Sequence, residues 1–469
     1  MITSNKLYRL IVLGNTLEAW LAAAYIKRKM NHLVEITIVD NGQSNPIAQY
    51  INLGSTTHLF HKILGLTQND MINFCEGKIH FGQSYYSIGD KSKSFFIPYS
   101  SSGFEKGFFH FHQLLSRINE NFKNYNESYS INFALEKNNK VPSQSYRGPI
   151  PDYSFVVNSS RYHEKIKSIA LSMGVQYIQS TNYQLKTDAN GTINELTVDE
   201  EKIKNISHVI NTLVNFDSQP NKKSSKASYR TVEIVNQESD YSDIALQWSL
   251  DEESIIKKQK LMGKQFIKGY HPIYLSMQQI EAIYSADNKT IAIIEDVISD
   301  TIEWSANKLN ISLSNLETPP LVVCELEHFA ASLADFIRLF TVEKNNTVNA
   351  KEFNRLVNQR QKSIDDLHHL ILYQASSKLT PSTGVSSKIK KMIELYKTHG
   401  RFSLSPIEPV KAHYYFSVLI GNHLLPKSYH PLLDELDANQ IKAEVKGLQN
   451  QIEIALQFTN NKGDLIPKR

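Results

Sequence analysis

The stretch that decides the fold is LYRLIVLGNTLEAWLAAAYIKRKMNHLVEITIVD, residues 7–40. Residues 7–13 are an apolar run that predicts a buried strand, and the alanine-rich residues 20–29 predict a helix. Residues 35–40 predict a second strand, which ends in an acid. A strand, a tight turn, a helix and a second strand in this order predict a βαβ unit of the dinucleotide-binding type.

The turn between the first strand and the helix departs from the usual three glycines of such a unit. Gly14, Thr16 and Ala19 hold the glycine places, and Asp40 is the acid that would receive ribose hydroxyls. Thr16 has a β-carbon where a pyrophosphate would approach bare backbone. Two interpretations therefore stay open: a nucleotide site, or a βαβ unit kept for packing. The predicted cofactor contacts of this turn are Gly14, Asn15, Thr16, Leu17, Ala19 and Asp40.

Four stretches of the sequence resemble the flavin-dependent tryptophan halogenases. GNTLEAWLAAAYIKR resembles the family's opening, whose turn reads roughly G-G-G-T-A-G-W, and Trp20 matches its tryptophan. Residues 51–83, INLGSTTHLFHKILGLTQNDMINFCEGKIHFGQ, resemble the stretch from a flavin-contacting G-x-G-E loop to the catalytic lysine. EFNRLVNQRQKSIDDLHHLILYQ and YYFSVLIGNHLLPKSYHPLLDEL resemble two C-terminal family segments. The four stretches follow one another in the family's order.

The resemblance implies an α/β fold with a glutathione-reductase-like FAD-binding core. We expect this core in residues 1–218 with an excursion over 82–150, a substrate-side sheet region in 229–325, and a mainly helical region in 326–469. The implied cofactor is FAD, supplied in reduced form by a separate flavin reductase, and the implied substrate is a small aromatic molecule of the indole type. Of the family's glycine-rich loop, Gly54 and Ser55 remain and are predicted cofactor contacts.

The residues implied to carry catalysis differ from the family pattern. In the family, hypohalous acid reaches a lysine beside the substrate, and a glutamate helps direct halogenation. Counting five residues from Cys75 along the C-x-x-x-x-K pattern gives His80 in place of that lysine. Lys78 is a possible substitute, but two residues along a strand move a side chain by about 7 Å. His80 is then either a neutral imidazole that holds or moves a proton, or a hydrogen-bonded residue near the core.

Two other family motifs are missing from the sequence. W-x-W-x-I-P is absent, and Trp304 in the comparable stretch is either its remnant or a core residue. The family's glutamate segment is replaced by PPLVVCELEHF, in which Glu325 and Glu327 are candidate acids. Both acids would also suit the first turn of a helix without any catalytic role. The predicted catalytic set is therefore His80, Lys78 and Glu325.

Composition narrows the remaining possibilities. The net charge of +4 is too balanced to indicate a nucleic acid or an anionic membrane as partner, and the two cysteines do not predict a disulfide framework. The absence of a long apolar run predicts a cytoplasmic protein, and a homodimer stays possible. His110 and His112 would share a face if extended, but without a third ligand they are expected to pack or face solvent. Two functions stay open: an FAD-dependent oxidoreductase with degenerate halogenation residues, or an inactive protein of the same fold that serves in binding.

Overall fold

The computed structural model describes residues 7–40, 42, 50–86, 94–120, 122, 124–213, 228–232, 247–249, 291–295, 302–311, 323, 325–341, 347–375, 386–401 and 410–461. The strands are β1 Tyr8–Leu13, β2 Val34–Asp40, β3 Tyr50–Asn52, β4 Lys78–His80, β5 Gly82–Tyr86, β6 Ser94–Pro98, β7 Lys140–Pro142, β8 Ser154–Asn158, β9 Gln176–Gln179, β10 Tyr183–Thr187, β11 Ile193–Val198, β12 Glu201–Lys204, β13 Ile206–Asn211, β14 Ser228–Val232, β15 Gln247–Ser249, β16 Ile291–Glu295, β17 Glu303–Ser305, β18 Lys308–Asn310 and β19 Thr459–Asn461. The helices are α1 Leu17–Met30, α2 His58–Leu64, α3 Phe111–Arg117, α4 Tyr125–Tyr129, α5 Ile131–Lys137, α6 Ser159–Ser172, α7 Glu325–Leu339, α8 Thr347–Ala375, α9 Ser387–His399, α10 Ala412–Gly421 and α11 Ala438–Gln457.

The predicted βαβ unit forms the centre of a six-stranded sheet in the order β17-β18-β13-β1-β2-β9. The pairs among β9, β2, β1, β13 and β18 are parallel, and only β17 runs antiparallel to its neighbour. Because parallel strands end at the same edge, the turn after β1 lies beside the ends of β2 and β13. This edge is where a doubly wound fold binds its ligand.

The helix of this unit begins earlier than the sequence predicted, at Leu17. The side chain of Thr16 accepts a hydrogen bond from the Ala19 N–H and so caps the helix at its N-terminus. Three basic residues in the last turn, Lys27, Arg28 and Lys29, complement the negative end of the helix dipole. The small side chains of residues 22–24 are fully buried, which allows the helix to pack closely on the sheet.

The two faces of the sheet are covered by different layers. Alternate residues of β1 and β2, including Leu10 and Ile36, pack in one core with α1 and α6. The intervening residues, including Ile11 and Val39, pack on the opposite face against the antiparallel sheet β10-β11-β12. Burial of both faces explains the almost continuous apolar sequence of these strands. The fold class that the sequence predicted is confirmed.

A second core lies in the helical part of the chain. It joins β6 and α3 to the helices α9, α10 and α11 through residues such as Ile97, Leu114 and Val418. The long helix α8 belongs to both cores, since its Phe353 packs in the first and its Leu367 in the second. None of the described helices is both long and apolar enough to cross a bilayer.

The middle of the chain adds a strand, a helix and a strand, and then a hairpin. The first three are β8, α6 and β9, and the hairpin about the Asn190-Gly191 pair joins β10 to β11. Within 229–325, β17 and β18 join the nucleotide sheet, while β15 pairs with β5 of the excursion. Most of this range lies outside the described residues, and the domain boundaries stay predictions.

Candidate functional site

The turn after β1 requires glycine at its first position. Gly14 has φ +109, and its N–H donates to the carbonyl of Val39 over 2.9 Å, which ties the turn to the end of β2. A β-carbon at Gly14 would lie 2.8 Å from the side chain of Leu213 and 2.9 Å from the hydroxyl of Thr212. The end of β13 therefore packs directly against the turn.

Thr16 lies across this turn with its side chain buried. Its hydroxyl oxygen lies 3.0 Å from the hydroxyl oxygen of Thr212, and it accepts the Ala19 N–H over 3.2 Å. Thr212 Oγ1 in turn lies 2.8 Å from the carbonyl oxygen of Leu13 and can donate to it. Because Thr212 uses its single hydroxyl proton in the bond to Leu13, Thr16 is the donor of the bond between the two hydroxyls. Thr16 thus connects α1 to β13 at the position where a pyrophosphate would approach.

The predicted ribose acid, Asp40, is buried and bonded at both carboxylate oxygens. Oδ1 accepts the Gly42 N–H over 2.8 Å, and Oδ2 accepts the Tyr177 hydroxyl over 2.6 Å. Burial first and the bond to Asp40 second raise the pKa of Tyr177 to about 12, so this hydroxyl stays protonated. The Tyr177 ring packs against Trp20 at an interplanar angle of 33°, and the ammonium of Lys167 lies 4.7 Å from the centre of the Tyr177 ring.

The other two predicted turn residues have internal roles. Asn15 Oδ1 accepts the indole N–H of Trp20 over 2.7 Å, which explains why tryptophan follows the turn. The side chain of Leu17 is fully buried in the first core. Their side chains stabilise the turn and the start of α1.

The three-stranded sheet β3-β8-β4 contains both the candidate catalytic residues of β4 and the strand β3, which leads into the glycine loop. His80 is in register with Ser154 of β8, and Lys78 is in register with Val156, which also faces Asn52. Residues directly opposite one another share a face of a sheet, so all five side chains lie on one face. Beyond Asn52, the Leu53 N–H donates to the Phe155 carbonyl, and the chain enters the glycine loop. His80, rather than Lys78, is the residue nearer this loop along β4.

His80 is buried and paired with a carboxylate. Its Nδ1 lies 3.1 Å from Glu136 Oε1, and Glu136 Oε2 accepts the Phe81 N–H over 2.8 Å. The side chain of His80 is 2% exposed and that of Glu136 is 21% exposed. A carboxylate only accepts, so His80 Nδ1 carries the proton of this bond, and Nε2 is the other ring nitrogen. Glu136 stands on α5 in the excursion, and nothing in the local sequence marked it as the partner of His80.

The glycine loop contacts the start of α7 through Glu327. Glu327 Oε1 accepts both the N–H and the hydroxyl of Thr56, over 2.7 and 2.8 Å. Gly54 takes φ +78, and its N–H donates to Asn52 Oδ1. Ser55 is 5% exposed, and within the described part of the chain its hydroxyl has no hydrogen-bond partner. The candidate acid Glu327 therefore reaches the loop.

The remaining candidates have other surroundings. Glu325 is the first residue of α7, and its side chain lies outside the described part of the structure. Trp304 is a core residue, 2% exposed and packed against Phe336 and Phe353. The segment of His110 and His112 is not extended: His110 is the N-cap of α3, and His112 lies in its first turn.

The model of the tryptophan halogenase family matches residues 9–211 and 277–438, which is most of the chain. The chain belongs to the tryptophan halogenase family. Comparison with curated proteins gives no significant match.

Solved halogenases share the fold at low sequence identity. The flavin-dependent halogenase BrvH from a Brevundimonas species is 14% identical, with a TM-score of 0.75 and 98% of each chain covered. The tryptophan 6-halogenase SttH from Streptomyces toxytricini is 14% identical, with a TM-score of 0.73 and 98% of each chain covered. A tryptophan halogenase from Shewanella frigidimarina is 13% identical, with a TM-score of 0.74, covering 98% of this chain and 96% of the other.

Membership of this family implies the use of a flavin, and the turn fits one in part. Gly14 provides the turn, and Asp40 keeps acceptor directions for ribose hydroxyls, because its two hydrogen bonds use about half of its lone pairs. The pyrophosphate position is altered, since Thr16 places a buried side chain there and already uses one first-turn N–H of α1. The residues of the turn therefore fit the ribose of a flavin dinucleotide better than its pyrophosphate.

Proposed function

We propose that this halogenase-family protein is an FAD-dependent oxidoreductase acting on a small aromatic, indole-type substrate, with chemistry altered from halogenation of free tryptophan. Gly14, Thr16, Ala19 and Asp40 would hold the nucleotide, with Gly54 and Ser55 beside the ring. The cofactor, reduced by a separate reductase, supplies the oxidising equivalent from oxygen. The assignment of these contacts, and of His80 as a catalytic residue, is part of the proposal, whereas catalytic roles for Lys78 and Glu325 stay predictions from the sequence.

The observation that carries the altered chemistry is the pair of His80 and Glu136. The histidine stands where the sequence resemblance places the family lysine. Its Nδ1 lies 3.1 Å from a carboxylate that is fixed by a backbone N–H. A histidine oriented in this way is suited to take up or return a proton at Nε2. It differs from a lysine ammonium, which offers three donors and no acceptor.

Glu327 is suited to the role of the acid. Its carboxylate is held at the glycine loop by two hydrogen bonds from Thr56, and it is 7% exposed. We therefore propose Glu327 as the acid that works with His80, since its partner Thr56 follows β3, a strand of the sheet that also contains His80.

A second candidate function is supported by the bond between Thr16 and Thr212. This 3.0 Å contact closes the pyrophosphate position with two buried side chains. A protein closed in this way would keep the halogenase fold as a binding protein without flavin chemistry.

Titration of the purified protein with FAD, oxidised and reduced, distinguishes the two functions. The flavoprotein proposal expects a shift of the visible flavin spectrum and a higher melting temperature at micromolar FAD. Asp40→Asn should weaken this binding, whereas Asp188→Asn, on the exposed hairpin, should leave it unchanged. If wild-type protein changes neither spectrum nor melting temperature at high micromolar FAD, the binding-protein function stands instead.

A further inference from the structure

Tyr177 connects the strand β9 to the predicted ribose acid at the end of β2. The two strands pair in parallel, and Tyr177 is in register with Ile38. Residues in register share a face of the sheet, and side chains two positions apart along a strand point to the same face. Tyr177 and Asp40 therefore lie on one face, where the Tyr177 hydroxyl donates to Asp40 Oδ2 over 2.6 Å.

The carboxylate of Asp40 is held by a donor at each oxygen. The Gly42 N–H binds Oδ1 over 2.8 Å, the Tyr177 hydroxyl binds Oδ2, and Asp40 is 4% exposed. A carboxylate has about four acceptor directions, so about two remain for a ligand. Because both oxygens are bonded within the protein, the plane of the carboxylate and its open acceptor directions are fixed without a ligand.

The ring of Tyr177 is itself held between two helices. It packs against Trp20 of α1 with ring centres 5.5 Å apart. The ammonium of Lys167 on α6 lies 4.7 Å from the centre of the Tyr177 ring and 5.1 Å from that of Trp20, where both rings attract a cation. Trp20 is fully buried, and its indole N–H donates to Asn15 in the turn after β1. These contacts join the nucleotide turn to the acid through side chains of fixed position.

We propose that Tyr177 is a positioning residue that orients Asp40 toward the ribose of a bound adenine nucleotide, so that the site prefers ribose to 2′-deoxyribose. The acid at the end of the second strand of a dinucleotide-binding unit bonds to the ribose 2′-hydroxyl. A carboxylate that is already oriented loses less side-chain freedom when it binds, so more of its hydrogen-bond energy contributes to affinity. The inference rests on the nucleotide site of the proposed function and deepens it.

Isothermal titration with ADP and 2′-deoxy-ADP tests this role without the flavin ring. Wild-type protein should bind ADP about five- to tenfold more tightly, since the deoxy compound leaves an acceptor of Asp40 without a partner. Tyr177→Phe keeps the ring and its packing, and it should reduce this preference about two- to fivefold. Its affinity for 2′-deoxy-ADP should change little, whereas a merely structural defect would weaken the binding of both nucleotides equally.

A second tyrosine provides the matched control. The Tyr429 hydroxyl also donates to a carboxylate, that of Asp434, over 3.0 Å, but in the segment between α10 and α11. Tyr429→Phe should leave the preference for ADP at its wild-type value. Asp40→Ala should abolish the preference, and adding Tyr177→Phe to Asp40→Ala should change nothing further, because no carboxylate remains to be oriented. Melting temperatures of all variants check that each is folded.

The outcomes separate this inference from the proposed function. An unchanged preference in Tyr177→Phe, an equal loss of affinity for both nucleotides, or no binding of ADP to wild-type protein at millimolar concentration would each overturn the role of Tyr177. Binding of FAD alongside any of these results would keep the proposed function and reject only this inference. A preference for ADP that depends on Tyr177, without any change of the flavin spectrum, would keep this inference and reject the flavin chemistry.

Discussion

Thr16 and Thr212 face each other across the nucleotide turn with their hydroxyl oxygens 3.0 Å apart. One residue begins α1, and the other follows β13, so their contact joins the two elements between which a dinucleotide would enter. The bond links two buried hydroxyls and also places two β-carbons at the turn. The same contact therefore stabilises the fold and narrows the site.

Replacing Thr16 by glycine should tighten FAD binding if the turn still serves as a nucleotide site. The variant removes the side chain from the pyrophosphate position. It loses the bond to Thr212, which is worth about 0.5–1.5 kcal/mol, and only a few tenths of a kcal/mol in capping. FAD fluorescence titration and urea unfolding measure the two effects separately. Thr212→Ala is the control, since it removes the same bond and leaves the Thr16 side chain in place. Equal FAD affinity in all three proteins would argue against a phosphate site here.

The sequence predicted the nucleotide core well because its signals are local. Apolar strands buried on both faces, a small-residue turn and an alanine-rich helix each specify one element, and parallel pairing follows from the βαβ connection. The predicted start of α1 was wrong by three residues, because the prediction treated Thr16 as part of a phosphate-binding turn, whereas Thr16 is the N-cap of the helix. The joining of β17 and β18 to the sheet could not be foreseen, since pairing across a hundred residues depends on packing.

Replacing His80 by lysine tests whether this position decides the chemistry. Wild-type protein should halogenate free tryptophan very slowly, because loss of one positioned catalytic group commonly costs about 10²- to 10⁴-fold in rate. His80→Lys restores an ammonium beside Glu136 and should raise halogenation, whereas Lys78→Ala should change nothing. The assay combines protein, flavin reductase, NADH, FAD, bromide and tryptophan, read by mass spectrometry. Rapid wild-type turnover that is lost in Lys78→Ala would assign the role to Lys78 instead.

The candidate site was less predictable than the fold. His80 was found by counting along a family pattern, but its partner Glu136 is 56 residues away, on a helix of the excursion. The contact of Glu327 with Thr56 joins residues that are 271 positions apart in the chain. Side-chain pairs of this kind carry no periodicity in the sequence, so only the tertiary structure reveals them.

When the pH is lowered, the protein should begin to lose stability at pH values well above those at which its carboxylates titrate. Burial lowers the pKa of His61 to about 3, and that of His328 likewise to about 3, against 6.5 for an ordinary histidine. Below about pH 6.5 the unfolded chain therefore binds more protons than the folded protein does. Above that pH these histidines no longer reduce the free energy of unfolding. Each such histidine can remove up to about 1.4 kcal/mol per pH unit as the pH falls toward its folded pKa.

Urea unfolding at pH 7.5, 6.5 and 5.5 measures this loss. His61→Gln can keep a hydrogen bond to the Tyr162 hydroxyl, which lies 2.8 Å from His61 Nε2. This variant should reduce the number of protons taken up on unfolding by up to one. The exposed His32 serves as control, and His32→Gln should leave the slope unchanged. A stability that stays constant from pH 7.5 to 5.5 would contradict neutral buried histidines.

Replacing His328 by leucine should leave the protein as stable or make it more stable by about 1 kcal/mol. His328 is 1% exposed, and within the described part of the chain neither ring nitrogen has a hydrogen-bond partner. A buried polar group without a partner costs about 1–3 kcal/mol, which an apolar side chain of similar volume avoids. Asn307 is the matched contrast, because it is fully buried but bonds to the Ile193 N–H and carbonyl, each over 2.8 Å. Asn307→Leu should therefore lower the free energy of unfolding by several kcal/mol at pH 7.5. If His328→Leu proves equally destabilising, the imidazole has a partner in solution, and a bound water or ligand beside α7 becomes the explanation.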